Sequence, residues 1–524
     1  MSATGKITYI SLGADDPEVN AAFDAAIARV GEQLGRSYPL HVGGEARGAH
    51  DALESVSPSD TRLVVARVAS GTKQDVDDAV AAARAAQPAW SGTPWLERVA
   101  LLDKAAALIR ARRYELSAWI IHEMGKNRVE ALGEVEETAD LLTYYNQQMR
   151  DSGGYVKEMD KLVPTDRNTS VLRPYGVWAV VAPWNFPFAL LGAPVAAALV
   201  TGNTVVCKPS SDTPLTGLKF VEILEEAGLP RGTVSCVPGS GRVVGDGLTM
   251  HPDVDGLTFT GSYDVGFKQL YQRFAKTYPK PCIVEMGGKN PAIVMDSADL
   301  DKAAQGVYRS AFGMNGHKCS ACARVYVHRA VADAFLAKLV KLTEATKIGN
   351  PLDKGVFVGP VATKAGYEDY QRFAAMAAAA GPSVVRTGGQ VIKDGALAHG
   401  YFVKPTVLAG LPRDHALMRE ELFVPMVAVT TVDGLDDALE QANDTTFGLT
   451  AGFFSRAEPE IDTFLERIQA GVVYVNRAAG ATTGAWPGVQ PFGGWKGSGS
   501  TGKNIGGVYT LPCYLREQSR TICE

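Results

Sequence analysis

Long apolar runs are missing from this sequence. The longest, over residues 186–200, is interrupted by Pro187, Gly192 and Pro194 and falls short of the roughly 20 residues that span a bilayer, so it reads as a buried helix. A dominant charge is missing as well: 52 basic residues against 57 acidic ones leave a net charge of -5, too little to hold nucleic acid or an anionic membrane. That leaves a small molecule as the expected partner. Cysteine is sparse, seven in 524 residues without regular spacing, which excludes a disulfide framework and fits reduced thiols in the cytoplasm. No cationic and apolar leader opens the chain; Asp15, Asp16 and Glu18 stand where one would be needed, so secretion is not expected. What is present, 46% hydrophobic and 21% charged residues, is the composition of a globular protein of two or three domains.

The spacing predicts helices over 72–86, with Thr72 and Asp75 as a capping box, and over 94–124, with Thr93 as N-cap and Gly125 as terminator. A further helix over 134–149 places Glu137, Leu141 and Tyr144 on one face. Short β-branched runs at 176–182, 203–208, 234–237 and 257–260, with a helical stretch at 215–227 between them, signal a parallel sheet of Rossmann type. From about 286 a second α/β region carries Cys319 and extends through the glycines near Gly493. Residues 154–173 read as a hairpin and 508–521 as a C-terminal strand, together an intersubunit arm. The alanines at 374–380 read as helix surface and core.

Gly239, Gly241 and Gly245 follow a strand, but their spacing is not the G-x-G-x-x-G of a dinucleotide fingerprint and they come late in the sheet. Phe259-Thr260-Gly261-Ser262, where a strand stops and a helix begins, is the better phosphate cradle. Cys319 lies in a glycine-containing segment between Lys318 and Arg324, cations that favour a thiolate. Cys322 follows at C-x-x-C spacing, so a structural thiol, a dithiol switch and a metal ligand are also open; no second C-x-x-C or His pair completes a zinc site, and no metal is expected. Glu285 stands at a strand end before two glycines, and Asn185 just past a strand between two prolines.

Taken together in this order, Pro183-Trp184-Asn185-Phe186-Pro187, Lys208-Pro209, Phe259-Thr260-Gly261-Ser262, Glu285-Met286-Gly287-Gly288-Lys289, Gly316-His317-Lys318-Cys319, Glu420-Glu421-Leu422-Phe423 and Pro491-Phe492-Gly493-Gly494 resemble the aldehyde dehydrogenase superfamily over nearly the full chain. The resemblance implies an α/β fold with a Rossmann-type cofactor domain (1–153 and 174–286), an α/β catalytic domain (287–500) and a small β oligomerisation arm (154–173 and 501–524). It implies NAD(P)-dependent oxidation of an aldehyde by a homo-oligomer, with Cys319 as nucleophile, Asn185 and the Cys319 N–H holding the oxyanion, and Glu285 activating the hydrolytic water. Trp184, Lys208, Ser211, Gly261, Ser262, Glu421 and Phe423 would contact the cofactor. Ser211 stands where many members preferring NAD have Glu; without that carboxylate a 2'-phosphate is not repelled, so NAD is expected and NADP is open.

Within the superfamily, Lys318-Cys319-Ser320-Ala321-Cys322, Thr483-Gly484-Ala485, the following run to Gly494, and Tyr38-Pro39-Leu40 look like the branch that oxidises glutamate γ-semialdehyde, the open form of 1-pyrroline-5-carboxylate. That likeness implies that Ser320, Gly497 and Ser498 bind the substrate α-carboxylate and that Glu137 faces the substrate, suiting an ammonium group. Three departures stand out: His317 replaces a common Gln, Val424 the Gly of E-E-x-F-G-P, and Trp486-Pro487 lies as an insertion beside the substrate loop.

Overall fold

The computed structural model describes residues 8–9, 17–48, 51–276, 278–479 and 486–523. Asp15, Asp16 and the Thr483-Gly484-Ala485 motif lie outside the described residues.

Two seven-stranded sheets organise the chain. In the first, Cys282–Glu285, Gly256–Thr260, Val177–Val181, Thr204–Lys208 and Val234–Cys236 lie side by side in that order, all parallel. The antiparallel strands Leu40–Val42 and Glu45–Arg47 extend one edge. The central strands are buried on both faces, as the continuous β-branched runs require. One face is covered by Ala189–Val200, the broken apolar run, which is buried along its length. Among the described residues no helix is long and apolar enough to cross a membrane.

The second sheet runs Val385–Thr387, Thr406–Ala409, Met426–Val432, Cys322–His328, Asn290–Val294, Thr450–Phe454 and Val472–Val475, parallel except at its first pair. The chain passes from one sheet to the other between Glu285 and Asn290, so the segment at the junction carries the glycines Gly287 and Gly288. A third, antiparallel sheet joins Leu515–Ile522, Arg167–Pro174 and Val156–Glu158.

Local signals and observed elements agree where the signal is self-contained. The Thr72 and Asp75 side chains form the reciprocal capping box of Lys73–Gly92, and Gly125, at φ 81°, ends Arg113–Met124. The helix expected over 94–124 is two helices, Trp95–Ala111 and Arg113–Met124, parted at Arg112. Thr93 is not an N-cap: its N–H and hydroxyl both turn back to Ala89 O, closing the preceding helix, and Pro94 occupies the cap. The C-terminal strand begins at Leu515, later than the 508–521 expected, because Leu511–Tyr514 forms a short 3-10 helix whose Leu511 and Tyr514 enter the core beside the first sheet.

Candidate active site

In the first sheet the chain runs outward from Val177–Val181 to Val234–Cys236, then returns to lay Gly256–Thr260 against the other side of Val177–Val181. That reversal opens a crevice at the carboxyl ends of these two strands, where doubly wound sheets bind ligands. The crevice, a cavity of about 470 Å³, is walled by Trp184, Asn185, Gly261, Ser262, Glu421 and Phe423, with Cys319 at its inner end. Glu421 Oε1 accepts the Gly288 N–H at 2.9 Å, and a Cβ on Gly287 would lie 2.0 Å from the same carboxylate, so only glycine leaves this cradle open. The Gly261 N–H is already given to Glu285 O at 3.1 Å, so a phosphate would have to use other donors of that turn.

Lys208 ends the next strand, buried with its ammonium on Pro209 O at 3.0 Å; burial lowers its pKa to about 8. Ser211 Oγ donates to Gly239 O at 2.8 Å, and Gly245 backs onto the Lys208 side chain. Gly239 and Gly245, two of the three glycines set aside for their spacing, therefore lie beside two of the expected cofactor residues.

Cys319 follows a strained loop. Met314, Asn315 and Gly316 have φ of 50°, 58° and 74°, two of them without the freedom of glycine. The loop is held from several sides: Met314 N donates to Glu130 Oε1 at 2.6 Å, and the Asn315 amide bridges Pro360 O and Gly359 N at 2.8 and 2.7 Å. Asn290 Nδ2 then grips Cys319 O at 2.7 Å and Ala321 O at 2.9 Å. Asn185 Nδ2 donates to His317 O at 3.0 Å; an amide nitrogen has a second hydrogen, which this bond leaves for an oxyanion. His317 is fully buried, edge-on to Trp184 and stacked near Phe423, with no partner on either ring nitrogen among the described residues; burial, then Lys126, lowers its pKa to about 3, so it is neutral.

Glu285 ends its strand buried, with Oε2 unpartnered among the described residues, and burial holds its carboxyl well above the usual range. Burial, reinforced by Glu421 and Glu285, pushes the Cys319 thiol up to about 12. Cys322 is buried and donates to Arg324 O, leaving Cys319 as the thiol at the cavities. All seven cysteines are free thiols.

On its other side Cys319 opens into a second cavity of about 80 Å³, largely apolar, whose walls include Phe186, Leu190, Met314 and Phe492 and whose polar members are Lys318, Ser320, Gln490, Glu137 and Tyr9. Among the described residues Ser320 Oγ has no partner. Burial raises Glu137 to about 7, opposed by a bond from Tyr9, and lowers Lys318 to about 8, opposed by Glu130. Leu141 joins Glu137 on this wall, whereas Tyr144 packs against Gly488.

Gly497 and Ser498, expected at the substrate, stand elsewhere. Ser498 is fully buried; its hydroxyl donates to Gly287 O at 2.7 Å and accepts from Gly448 N at 3.0 Å, and its carbonyl accepts Met286 N at 2.8 Å. Gly497 N goes to Thr446 O. With these groups consumed, the pair buttresses the turn that carries Glu285, which bridges to Gly499. Ile505 and Gly506 line this second cavity instead, although 501–524 was expected to be arm.

Sequence reasoning missed the buried pair Lys126 and Glu134, 2.5 Å apart and both fully buried. Glu134 Oε1 accepts the N–H groups of Phe188 and Ala189, capping the helix that follows the Asn185 turn, and Lys126 lies 3.7 Å over the Phe186 ring. Glu134 was legible only as one more polar residue in an amphipathic pattern.

Residues 46–519 match the family model described as Aldehyde dehydrogenase family. The chain is 40% identical over 508 residues, 96% of each chain, to 1-pyrroline-5-carboxylate dehydrogenase of Geobacillus kaustophilus. It is 40% identical over 510 residues, again 96% of each, to 1-pyrroline-5-carboxylate dehydrogenase 2 of Bacillus subtilis. Among solved structures, 1-pyrroline-5-carboxylate dehydrogenase from Thermus with bound NAD superposes with a TM-score of 0.92 at 35% identity, covering 97% of both chains.

Proposed function

The chain belongs to the aldehyde dehydrogenase family, and from that premise we propose that it oxidises glutamate γ-semialdehyde to glutamate with NAD, through a thioester on Cys319. One observation carries the reading: Cys319 lines both a crevice at the sheet's switch point and a cavity whose wall includes Glu137.

Trp184, Glu421 and Phe423 would hold the nicotinamide end of the cofactor and Lys208 its adenosine ribose; bound NAD supplies the hydride acceptor. The open cradle at Gly287 fits such a group. Cys319 Sγ gives up its proton to solvent and adds to the aldehyde carbon, and the Asn185 amide with the Cys319 N–H holds the negative oxygen. Loss of hydride leaves the thioester. Glu285, once ionised, removes a proton from water as it attacks, and the acid leaves as Cys319 is regenerated. Ser320 and Lys318 line the cavity as donors for the substrate carboxylate, and Glu137 lines it as an acceptor for the substrate ammonium. A reducing compartment, the cytoplasm, suits a nucleophile that must stay a thiol. The antiparallel arm exposes Met159, Leu162, Val163 and Ile522, and we assign it to contact with a second copy of the chain.

The test is the rate of NAD and of NADP reduction with glutamate semialdehyde beside aliphatic and aromatic aldehydes. The expected result is highest kcat/KM for the semialdehyde with NAD; a preference for an aldehyde without a carboxylate would keep the family and overturn the substrate.

A further inference from the structure

Tyr9 reaches the aldehyde cavity from the far N-terminal end of the chain. Its hydroxyl donates to Glu137 Oε2 at 2.6 Å, and its ring meets Trp486 edge-on, 5.7 Å between centroids. Trp486 is itself fixed, its Nε1 on Asp140 Oδ2 at 2.7 Å. The ring seats on Gly133, where a Cβ would lie 2.3 Å from two of its carbons. The same residue lines both the cavity at Cys319 and a neighbouring cavity of about 310 Å³. Tyr9 is thus one of the residues between the two spaces.

We infer that Tyr9 is a specificity-determining residue, closing the end of the aldehyde pocket remote from Cys319 and orienting the Glu137 carboxylate toward a cationic group on the substrate. The ring sets the length of aldehyde admitted. The hydroxyl fixes the Glu137 rotamer and favours its ionised form, since a donor to a carboxylate stabilises the charge. An aldehyde bearing an ammonium group is therefore held by a preorganised carboxylate, and a longer unsubstituted chain meets the tyrosine. The inference rests on the assignment of this cavity to the aldehyde.

Two variants separate the roles. Tyr9→Phe keeps the ring and removes the hydroxyl; it is expected to raise KM for glutamate semialdehyde on the order of 10-fold, with a smaller effect on kcat, and to lower its kcat/KM relative to pentanal. Tyr9→Ala opens the partition; kcat/KM for decanal relative to pentanal is expected to rise about 10-fold or more. Thermal unfolding of each variant reports that the fold persists. A semialdehyde-to-pentanal ratio unmoved in Tyr9→Phe, or a chain-length profile unmoved in Tyr9→Ala, would overturn the inference. If instead the parent protein fails to prefer the semialdehyde, the substrate reading falls, and the chain-length profile of Tyr9→Ala still decides the role of the ring.

Discussion

Burial raises the pKa of Cys319 and of Glu285 together, so the thiolate is scarce near neutrality and the charged form of the carboxylate is disfavoured. A thiol at about 12 exposes a thiolate fraction that grows about tenfold per pH unit below that value. Alkylation of the free enzyme at Cys319 by iodoacetamide is therefore expected to accelerate steadily between about pH 6 and 9 without a plateau; a plateau below about pH 8 would mean that the thiolate is stabilised. Asn185 spends one amide hydrogen on His317 O, and the proposed mechanism gives the other to the oxyanion. Asn185→Ala is expected to slow acylation, read as the burst of reduced cofactor, by about 10² to 10³; an unchanged burst would remove Asn185 from the reaction.

At the scale of elements, the site is assembled from strand ends and one strained loop, and groups distant in sequence hold them. Lys126 and Glu134 join the long helix Arg128–Asp151 to the start of Ala189–Val200, just past Asn185. Removing one partner leaves an uncompensated buried charge. Lys126→Met is expected to cost about 3–5 kcal/mol, with Lys126→Met plus Glu134→Gln recovering part of it; urea unfolding of both variants checks this. This network marks the boundary of what could be read from residues in order. The capping box at Thr72 and the terminator at Gly125 are complete within a few residues. Thr93 looked like a cap only because the competing bond to Ala89 O belongs to the helix before it. Tyr9 and Glu137 meet across 128 positions, and no local pattern announces such a contact. Ser498 misled for the same reason: its partners, Gly287 and Gly448, are set by how two sheets meet.

At the scale of the whole molecule, the two sheets bring the crevice and the second cavity together at Cys319, an arrangement legible as motif order although not as geometry. The arm pairs Leu515–Ile522 with Arg167–Pro174 along its full length. Deleting the residues from Leu515 onward is expected to lower the oligomeric state, measured by light scattering; an unchanged mass would place the contact elsewhere.

The most direct measurement is to trap the covalent intermediate. Glu285→Gln, mixed with NAD and glutamate semialdehyde and quenched, is expected to release a near-stoichiometric burst of NADH and to carry a glutamyl adduct on the peptide containing Cys319, with turnover reduced roughly 10² to 10⁴. Absence of both burst and adduct, or an adduct on Cys322, would contradict the thioester on Cys319 and the division of labour with Glu285.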